Sequence, residues 1–334
     1  MKNITTNKSL GQNLITFLAN ARETVIIVFT LVLILAVSLR TDKFLSVKNF
    51  QDILLDIAIV SIVAIGEMMV MITGGIDISI GSGLALSAMS VGMIVRSNPG
   101  IPPLLAVIIG IGIGIILGSF NGFAVTVMKI PPIITTLGTL SLFRGIVYLV
   151  SKGTWVMSHQ LPENFKNFTI HTIGGIPFLV IIAIINMLIF YFFMKYIPIG
   201  RQIYAVGGNE IAAKLAGIRV GWIKFMTYVL SGALFGAAGV FWVSRYAIAA
   251  NNTAPDMHLQ AISACVIGGV SVMGGAGSVL GVILGAFLLG IIHNALNLIG
   301  ISEFWKEAFY GLAILFAVIT DMTISQRLQK MKSK

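Results

Sequence analysis

The amino-acid sequence predicts an all-α fold, a polytopic transmembrane bundle of about ten spans, some of them short or broken. Hydrophobic residues make up 57% of the 334 residues and charged residues only 10%, and the mean hydropathy is +0.98. A soluble domain cannot bury that much apolar surface while exposing so few charges. Long apolar runs are the second observation, because a helix needs about 20 apolar residues to cross a bilayer. Strands are excluded because an open sheet edge stays unpaired in lipid.

The apolar runs follow one another with short polar breaks between them. Two runs are short for a full crossing, and the breaks at 73–76 and 273–276 are shallow enough to be either loops or re-entrant turns. We expect a membrane domain over residues 24–321, a cytoplasmic segment 1–23 before it and a basic cytoplasmic tail 322–334 after it. The ten runs are 24–39 and 259–273, which are the short ones, and 54–73, 78–95, 103–127, 132–150, 177–194, 224–244, 277–298 and 304–320.

The distribution of lysine and arginine predicts the orientation in the membrane. If both termini lie in the cytoplasm and ten spans alternate, the cytoplasmic segments hold thirteen basic residues and the outer loops hold seven. Cytoplasmic loops carry the excess of positive charge in membrane proteins. The sequence thus predicts a protein of the cytoplasmic membrane, with the 195–224 loop inside the cell. The net charge of +10 follows from this bias and does not indicate a nucleic-acid partner.

Two glycine ridges predict close helix packing. Glycines recur every four residues in the run 103–127 and again at the start of the run 277–298. This spacing aligns the glycines on one helix face, where a neighbouring backbone can approach closely. The ridges fit either static packing or a surface along which helices slide. Their members are Gly110, Gly114, Gly118 and Gly122 in the first run and Gly277, Gly281 and Gly285 in the second.

Motifs for catalysis and metal binding are missing from the sequence. There is no Gly-x-x-x-x-Gly-Lys-Ser/Thr loop to hold ATP phosphates and no His-Glu-x-x-His pair to hold zinc. The single cysteine, Cys265, builds neither a disulfide nor a metal site. An intramembrane hydrolase that pairs Ser271 with His293 is the remaining enzymatic hypothesis, although both residue types also serve in helix packing. We expect no catalytic residue, no metal ligand and no cofactor in this chain.

Polar residues inside the apolar runs are candidate functional residues because charge at membrane depth is costly. Asp77 stands in a glycine-flanked break, so it either lines or gates a pathway or caps the next helix. Arg144 either reaches outward or pairs with an acid such as Asp77 or Glu67. Neutral side chains such as Asn121 offer hydrogen bonds to a polyol and equally to a neighbouring helix. The candidate pathway or gating residues are Asp77, Ser79, Thr135, Thr136, Asn294 and Asn297.

A short helix is predicted inside the 195–224 loop. Asn209 is a good N-cap and Glu210 suits the positive end of a helix dipole. Alanines favour the helical turn that follows, and Gly217 is able to end it. The loop therefore carries a compact helical element outside the membrane.

This short helix has an apolar face. Ile211, Leu215 and Ile218 follow an i, i+4, i+7 spacing and so share one side. Such a face either docks into the groove of a partner protein or lies on the bundle itself. The candidate residues for coupling to a partner are Asn209, Glu210, Ile211, Ala212, Ala213, Leu215, Gly217 and Ile218.

Five segments of the chain form a pattern typical of one transporter family. They are residues 74–82 (GGIDISIGS), 130–140 (IPPIITTLGTL), 144–145 (RG), 200–210 (GRQIYAVGGNE) and 268–278 (GGVSVMGGAGS). Taken together and in this order, they resemble the permease subunits of ribose-type ATP-binding-cassette importers, a group that includes rhamnose, xylose, galactose and autoinducer-2 systems. The resemblance covers about residues 50–321, most of the predicted membrane domain.

The resemblance implies a permease subunit that translocates a monosaccharide or similar small polyol across the cytoplasmic membrane. It implies a second permease subunit, identical or different, and two cytoplasmic ATPases that hold ATP and magnesium. An extracytoplasmic sugar-binding protein is the third implied partner. The family's Glu-Ala-Ala coupling motif maps onto residues 210–217, where Ile211 replaces the first alanine. The alternatives are an ion-coupled secondary transporter that uses Glu67 and Asp77, and the serine hydrolase.

Overall fold

The computed structural model describes residues 22–300 and five positions beyond them, Trp305, Ala308, Gly311, Leu312 and Leu315. Segment 1–21, most of the predicted run 304–320 and the tail 322–334 lie outside the described residues. Within 22–300 the chain forms helices α1 (Arg22–Ser38), α2 (Val47–Ile72), α3 (Ile80–Ser97), α4 (Pro103–Thr126), α5 (Pro132–Ser151), α6 (Glu163–Ile170), α7 (Phe178–Tyr196), α8 (Pro198–Gly208), α9 (Glu210–Leu215), α10 (Val220–Tyr246), α11 (Met257–Ile267) and α12 (Val279–Leu298).

The observed helices match the predicted runs. All nine runs predicted before residue 300 contain a helix, although the run 259–273 is helical only as far as Ile267. Seven helices of this part are long and apolar enough to cross a membrane, namely α2, α3, α4, α5, α7, α10 and α12. The apolar parts of α1 and α11 are shorter, as the sequence predicts. A 3-10 turn (Ser158–Gln160) and a small antiparallel ribbon of β1 (Thr172–Ile173) and β2 (Ile176–Pro177) complete the described part. The all-α membrane bundle is confirmed.

Helix α2 lies at the centre of the bundle. Its sequence is apolar on nearly every side, and a helix of this kind is stable only when other helices surround it. From Met68 to Ile72 every side chain is inaccessible, and α2 packs against α7, α10, α11 and α12. Helices α4 and α7, by contrast, expose large apolar side chains such as Ile116 and Phe192. Hydrocarbon is the solvent that suits these outer faces.

The two ends of the bundle carry different elements. At one end, where α8 and α9 lie, the Gly275 N–H donates to the Ile72 carbonyl at the C-terminus of α2 (2.9 Å). At the other end, Arg245 of α10 pairs with Asp56 near the start of α2 (Nη2 to Oδ1, 2.7 Å). Helix α6 lies at that second end, because Thr169 contacts the α10 side chain Ser244 there (Oγ1 to Oγ, 2.9 Å). We call them the α9 end and the α6 end.

A largely buried irregular segment, residues 247–256, precedes the short helix α11. Irregular backbone at membrane depth needs hydrogen-bond partners within the protein. Arg144 supplies them, because its Nη1 donates to the carbonyls of Asn251 (2.9 Å) and Thr253 (3.0 Å). Arg144 therefore supports this segment, and its hydrogen-bond partners are backbone carbonyls and not either of the two acids named from the sequence.

Helices α4 and α10 pack backbone to backbone along the first glycine ridge. A Cβ added to Gly114 would overlap the carbonyl oxygen of Gly232, and a Cβ on Gly232 would overlap that of Gly114. The second ridge does the same between α12 and α11, where a Cβ on Gly281 would overlap the Gly268 carbonyl. The close packing expected from both ridges is confirmed except at Gly277, which precedes α12 and faces the side chains of Val270 and Ile72.

Gly114→Ala should destabilise the bundle, because its new methyl group forces α4 away from α10. Overpacking of this kind typically costs about 1–3 kcal/mol. Gly112→Ala is the matched control on the same helix, because nothing lies within 4 Å of a Cβ at that position. Thermal unfolding of the purified variants in detergent measures the difference. Equal melting temperatures for the two variants would contradict the interlocked packing.

Candidate coupling surface and buried polar cluster

Helix α9 begins and ends at the residues that the sequence predicts. Asn209 is the N-cap, and its Oδ1 accepts a hydrogen bond from the Ala212 N–H (2.9 Å). At the other end Gly217 has a φ of 83°, and the N–H groups of Gly217 and Ile218 donate to carbonyls of the last turn (3.0 Å each). This is a Schellman motif, in which glycine tolerates the left-handed backbone. Both ends of the short helix are therefore fixed by local hydrogen bonds.

An ion pair holds α9 against α10. Lys224 Nζ lies 2.6 Å from Glu210 Oε2, and both side chains are partly exposed. Exposed pairs of this kind contribute only about 0–1 kcal/mol, so the contact orients α9 more than it stabilises the fold. Sequence analysis placed Glu210 at the helix start for its charge and missed this partner, because Lys224 lies fourteen residues further along the chain.

The outward face of α9 is apolar. Ile211 is 74% exposed and Leu215 is 84% exposed, whereas Ala213 faces the bundle and is only 5% exposed. Ile218, predicted on the same face, lies beyond the end of the helix and packs partly buried against the core. The apolar face therefore consists of Ile211 and Leu215. The hypothesis that the face packs on the bundle itself is wrong for Ile211 and Leu215, whereas Ile218 does pack against the bundle.

Glycines join the α8–α9 segment to the end of α2. A Cβ on Gly207, near the end of α8, would overlap the Ile72 carbonyl oxygen, which also accepts the Gly275 N–H (2.9 Å). Gly274 and Gly275 have φ values of 87° and 77°, a conformation that glycine adopts without strain. We call Ile72, Gly207, Gly274 and Gly275 the glycine junction. The breaks predicted at 73–76 and 273–276 are thus turns near this junction.

A tyrosine fastens the same junction. The hydroxyl of Tyr204 in α8 donates to the Gly277 carbonyl (2.9 Å). Burial raises the pKa of Tyr204 above its ordinary value, so the phenol remains a neutral donor at physiological pH. Helix α8 is therefore held to the 268–278 turn by one side chain and to α2 by backbone contact.

Buried polar side chains organise the turn between α2 and α3. Asp77 Oδ1 accepts hydrogen bonds from the Ser79 N–H (2.9 Å) and the Ser79 hydroxyl (2.6 Å). The Asp77 N–H donates to both carboxyl oxygens of Glu67 (3.2 and 3.3 Å), and Asn121 Nδ2 of α4 donates to Ser79 Oγ (2.8 Å). None of these four side chains is accessible. We call Glu67, Asp77, Ser79 and Asn121 the polar cluster.

The polar cluster distinguishes the two interpretations of Asp77 only in part. Asp77 accepts its backbone hydrogen bond from Ser79, which occupies the N-cap position of α3, and so it shapes the turn ahead of that helix. The interpretation as a direct cap of the first helical turn is therefore wrong in detail. Asp77 is enclosed in this conformation, and a role in a pathway remains a prediction.

The other candidate pathway residues separate into two groups. Thr136 lies beside the polar cluster, where its Oγ1 donates to the Ile76 carbonyl (3.1 Å), and the neighbouring Thr135 is also buried. Asn294 lies at the α6 end and exchanges amide hydrogen bonds with Asn49 (3.0 and 2.8 Å). Asn297 is exposed near the end of α12. The structure thus does not assemble the six residues predicted from the sequence into one site.

Two members of the polar cluster were not among those six residues. Glu67 is an acid in the middle of a long apolar helix, and an intramembrane acid is by itself a functional signal. Asn121 is an amide inside a long apolar run, and a polar side chain at that depth usually faces a partner within the protein. What the sequence did not reveal is that both meet the α2–α3 turn.

The hydrolase hypothesis fails on geometry. Ser271 lies in the turn before α12 at the α9 end, whereas His293 lies in the second half of α12 towards the α6 end. At 1.5 Å per residue, the helix between them separates the two side chains by roughly 20 Å. Among the described residues there is also no group of three or more His, Cys, Asp or Glu side chains that could hold a metal ion.

Asp77→Leu should reduce the stability of the bundle, because it leaves the buried Ser79 N–H without its acceptor. An unpaired buried donor costs about 1–3 kcal/mol. Asp77→Asn retains an acceptor oxygen and should fall between the wild type and the leucine variant in melting temperature. Asp42→Leu removes an exposed acid and serves as the control. Wild-type stability of Asp77→Leu would show that the polar cluster does not organise the turn.

Known proteins are similar to this chain over most of its length. Residues 49–318 match the family model described as the permease component of branched-chain amino acid transport systems. The ribose import permease protein RbsC of Bacillus subtilis is 38% identical over 87% of this chain and 89% of its own length. The autoinducer 2 import system permease protein LsrC of Salmonella typhi is 32% identical over 94% and 89%, respectively.

A third relative is similar over nearly its whole length. The ribose import permease protein RbsC of Haemophilus influenzae is 35% identical over 96% of this chain and 97% of its own length. No solved structure matches the chain significantly. The α9 segment and the polar cluster both lie inside the matched residues. The chain belongs to the family of permease components of ATP-binding-cassette importers, in the branch that contains the ribose and autoinducer-2 permeases.

Proposed function

We propose that this chain carries a neutral monosaccharide or similar small polyol across the cytoplasmic membrane as the permease subunit of an ATP-driven importer. The ribose and autoinducer-2 permeases among its relatives support a small, uncharged, oxygen-rich substrate. The partners are a second permease subunit, identical or different, two cytoplasmic ATPases and an extracytoplasmic sugar-binding protein. ATP and magnesium are held by the ATPases, so this chain itself catalyses no hydrolysis.

The observation that carries the proposal is the apolar face of α9. Ile211 and Leu215 are largely exposed on a helix whose two ends are fixed by hydrogen bonds. Exposed apolar side chains in adjacent turns of a rigid helix suit docking into a groove on a partner protein. Burying apolar surface contributes about 25 cal/mol per Å², so the two side chains together supply a few kcal/mol of docking energy.

A continuous set of contacts leads from α9 into the bundle. Helix α9 follows α8 directly, and Gly207 near the end of α8 touches the last carbonyl of α2 in the glycine junction. The next residues of the chain form the turn that the polar cluster holds, and Asn121 of that cluster belongs to α4. A displacement of α9 by ATPase closure therefore has a physical route to α2, α3 and α4, which is how packed elements transmit a change of state.

An ion-coupled transporter is the second candidate function. Its support is the contact between the Asp77 backbone and the Glu67 carboxylate, which places two intramembrane acids side by side. Such acids serve as proton or ion sites in secondary transporters. The α9 face has no role in that hypothesis, so association with an ATPase distinguishes the two functions.

Leu215→Ser should weaken association with the ATPase while the bundle remains intact. The side chain is 84% exposed, so its loss removes docking energy and no packing within the chain. Losing about 1.5–3 kcal/mol lowers affinity by one to two orders of magnitude. Leu45→Ser, at an exposed leucine outside the α8–α9 segment, is the matched control. Copurification of the ATPase and sugar uptake are measured on the same membranes.

Undiminished copurification and uptake with Leu215→Ser would contradict the coupling role of α9. Sugar uptake that persists without any copurifying ATPase would support the ion-coupled alternative.

The α9 end should face the cytoplasm and the α6 end the outside. Asn209 and Asn167 are exposed at these opposite ends, and the only native cysteine, Cys265, is buried and gives little background. In intact cells an impermeant thiol reagent should label Asn167→Cys and spare Asn209→Cys. Permeabilised cells should label both variants, which controls for accessibility. Labelling of Asn209→Cys from outside would reverse the orientation and remove the coupling assignment.

A further inference from the structure

A cavity of about 600 Å³ opens between four elements of the bundle. Its wall is formed by the first half of α2, the last turns of α10, the junction of the 247–256 segment with α11, and the second half of α12. These positions are away from the glycine junction and towards the α6 end. Pockets that bind small molecules have volumes of about 300–1,000 Å³, so the size suits a small molecule with some water.

The cavity wall combines apolar surface with a few polar side chains from different elements. Asp56 comes from α2, Asp256 from the loop, Gln260 from α11 and His293 from α12. A predominantly apolar wall with a few convergent polar groups is the usual composition of a ligand site. These side chains offer carboxylate, amide and imidazole groups, which together can donate to and accept from hydroxyl groups. A lipid tail has no groups that could form hydrogen bonds with them.

Asp56 has bonding capacity left over. Arg245 Nε (3.1 Å), Arg245 Nη2 (2.7 Å) and the Tyr246 hydroxyl (2.7 Å) all donate to its Oδ1. Within residues 22–300 no hydrogen bond is found to its Oδ2. Arg245 fixes the carboxylate but is not among the residues of the cavity wall. The wall therefore presents a carboxylate whose charge Arg245 balances and whose remaining lone pairs can accept a hydrogen bond from a hydroxyl group.

Two aromatic rings form a further part of the wall. Trp242 and Tyr246 lie one turn apart on α10, with ring centroids 4.5 Å apart. Aromatic side chains offer an apolar surface with a polar group at one edge. A sugar ring has the matching arrangement, because its C–H groups lie on its faces and its hydroxyl groups point outward. The rings thus suit one face of a sugar while the polar side chains suit its edge.

We propose that this cavity is a binding site for a neutral monosaccharide, with Gln260 and Asp56 contacting its hydroxyl groups and Trp242 contacting a ring face. The inference rests on the proposed function and adds the place where the substrate binds in this subunit.

A cysteine-protection experiment tests the site without any partner protein. The Gln260→Cys variant of the full chain is reconstituted in lipid nanodiscs and labelled with a small methanethiosulfonate reagent. Millimolar D-ribose, D-xylose, D-galactose and L-rhamnose are tested as protecting ligands. We expect at least one of these neutral sugars to slow the labelling. Gln51→Cys, at a half-buried glutamine that is not part of the cavity wall, should label at the same rate with and without sugar.

Uptake provides the second measurement. Gln260→Leu keeps the side-chain volume and removes the hydrogen-bonding group, so it should still copurify with the ATPase. We expect a roughly tenfold lower maximal uptake rate, the effect of losing one hydrogen bond to the transported sugar. Gln51→Leu should transport normally.

Labelling of Gln260→Cys that no neutral sugar slows, or wild-type uptake by Gln260→Leu, overturns the site. Because the labelling uses the permease alone, it fails or succeeds independently of the α9 coupling experiment.

Discussion

The structure depends on one constraint, that every backbone polar group inside the bilayer needs a hydrogen-bond partner from the protein. Helical hydrogen bonds satisfy this constraint for most of the chain. Charged side chains are found inside the bundle where the backbone is not helical. Where the backbone of 247–256 is irregular, Arg144 donates to two of its carbonyls. Where α2 ends, Asp77 and Glu67 bind the freed N–H groups of the turn. Charges that look functional in the sequence thus support the backbone first.

The sequence predicted the features that have a local physical cause. Apolar runs predicted every described span, because the thickness of the bilayer sets the length of such a run. Asn209 and Gly217 predicted the two ends of α9, because capping interactions act over only a few residues. Contacts between distant segments were not predictable. Nothing near Glu210 indicates Lys224, and nothing near Asn294 indicates that it contacts Asn49 at the α6 end and lies apart from Thr136 and Asp77.

Helix α2 links the two candidate functional regions. Asp56 near its start belongs to the wall of the cavity, and Ile72 at its end belongs to the glycine junction. The 26-residue helix is about 39 Å long and is enclosed for most of that length, so it moves as one piece. A shift imposed at the junction therefore reaches the cavity without passing through flexible segments. Tight glycine contacts of the α4 and α10 backbones provide a fixed frame beside it.

The glycine junction has an evolutionary consequence. Its contacts are between main-chain atoms, so its geometry is largely independent of which side chains surround it. The surface offered to a partner, by contrast, consists of two exposed side chains on α9. In the proposed function, recognition of the ATPase and transmission of its motion are encoded by separate residues. Such a chain could acquire a new ATPase by changing Ile211 and Leu215 while its internal contacts are inherited unchanged.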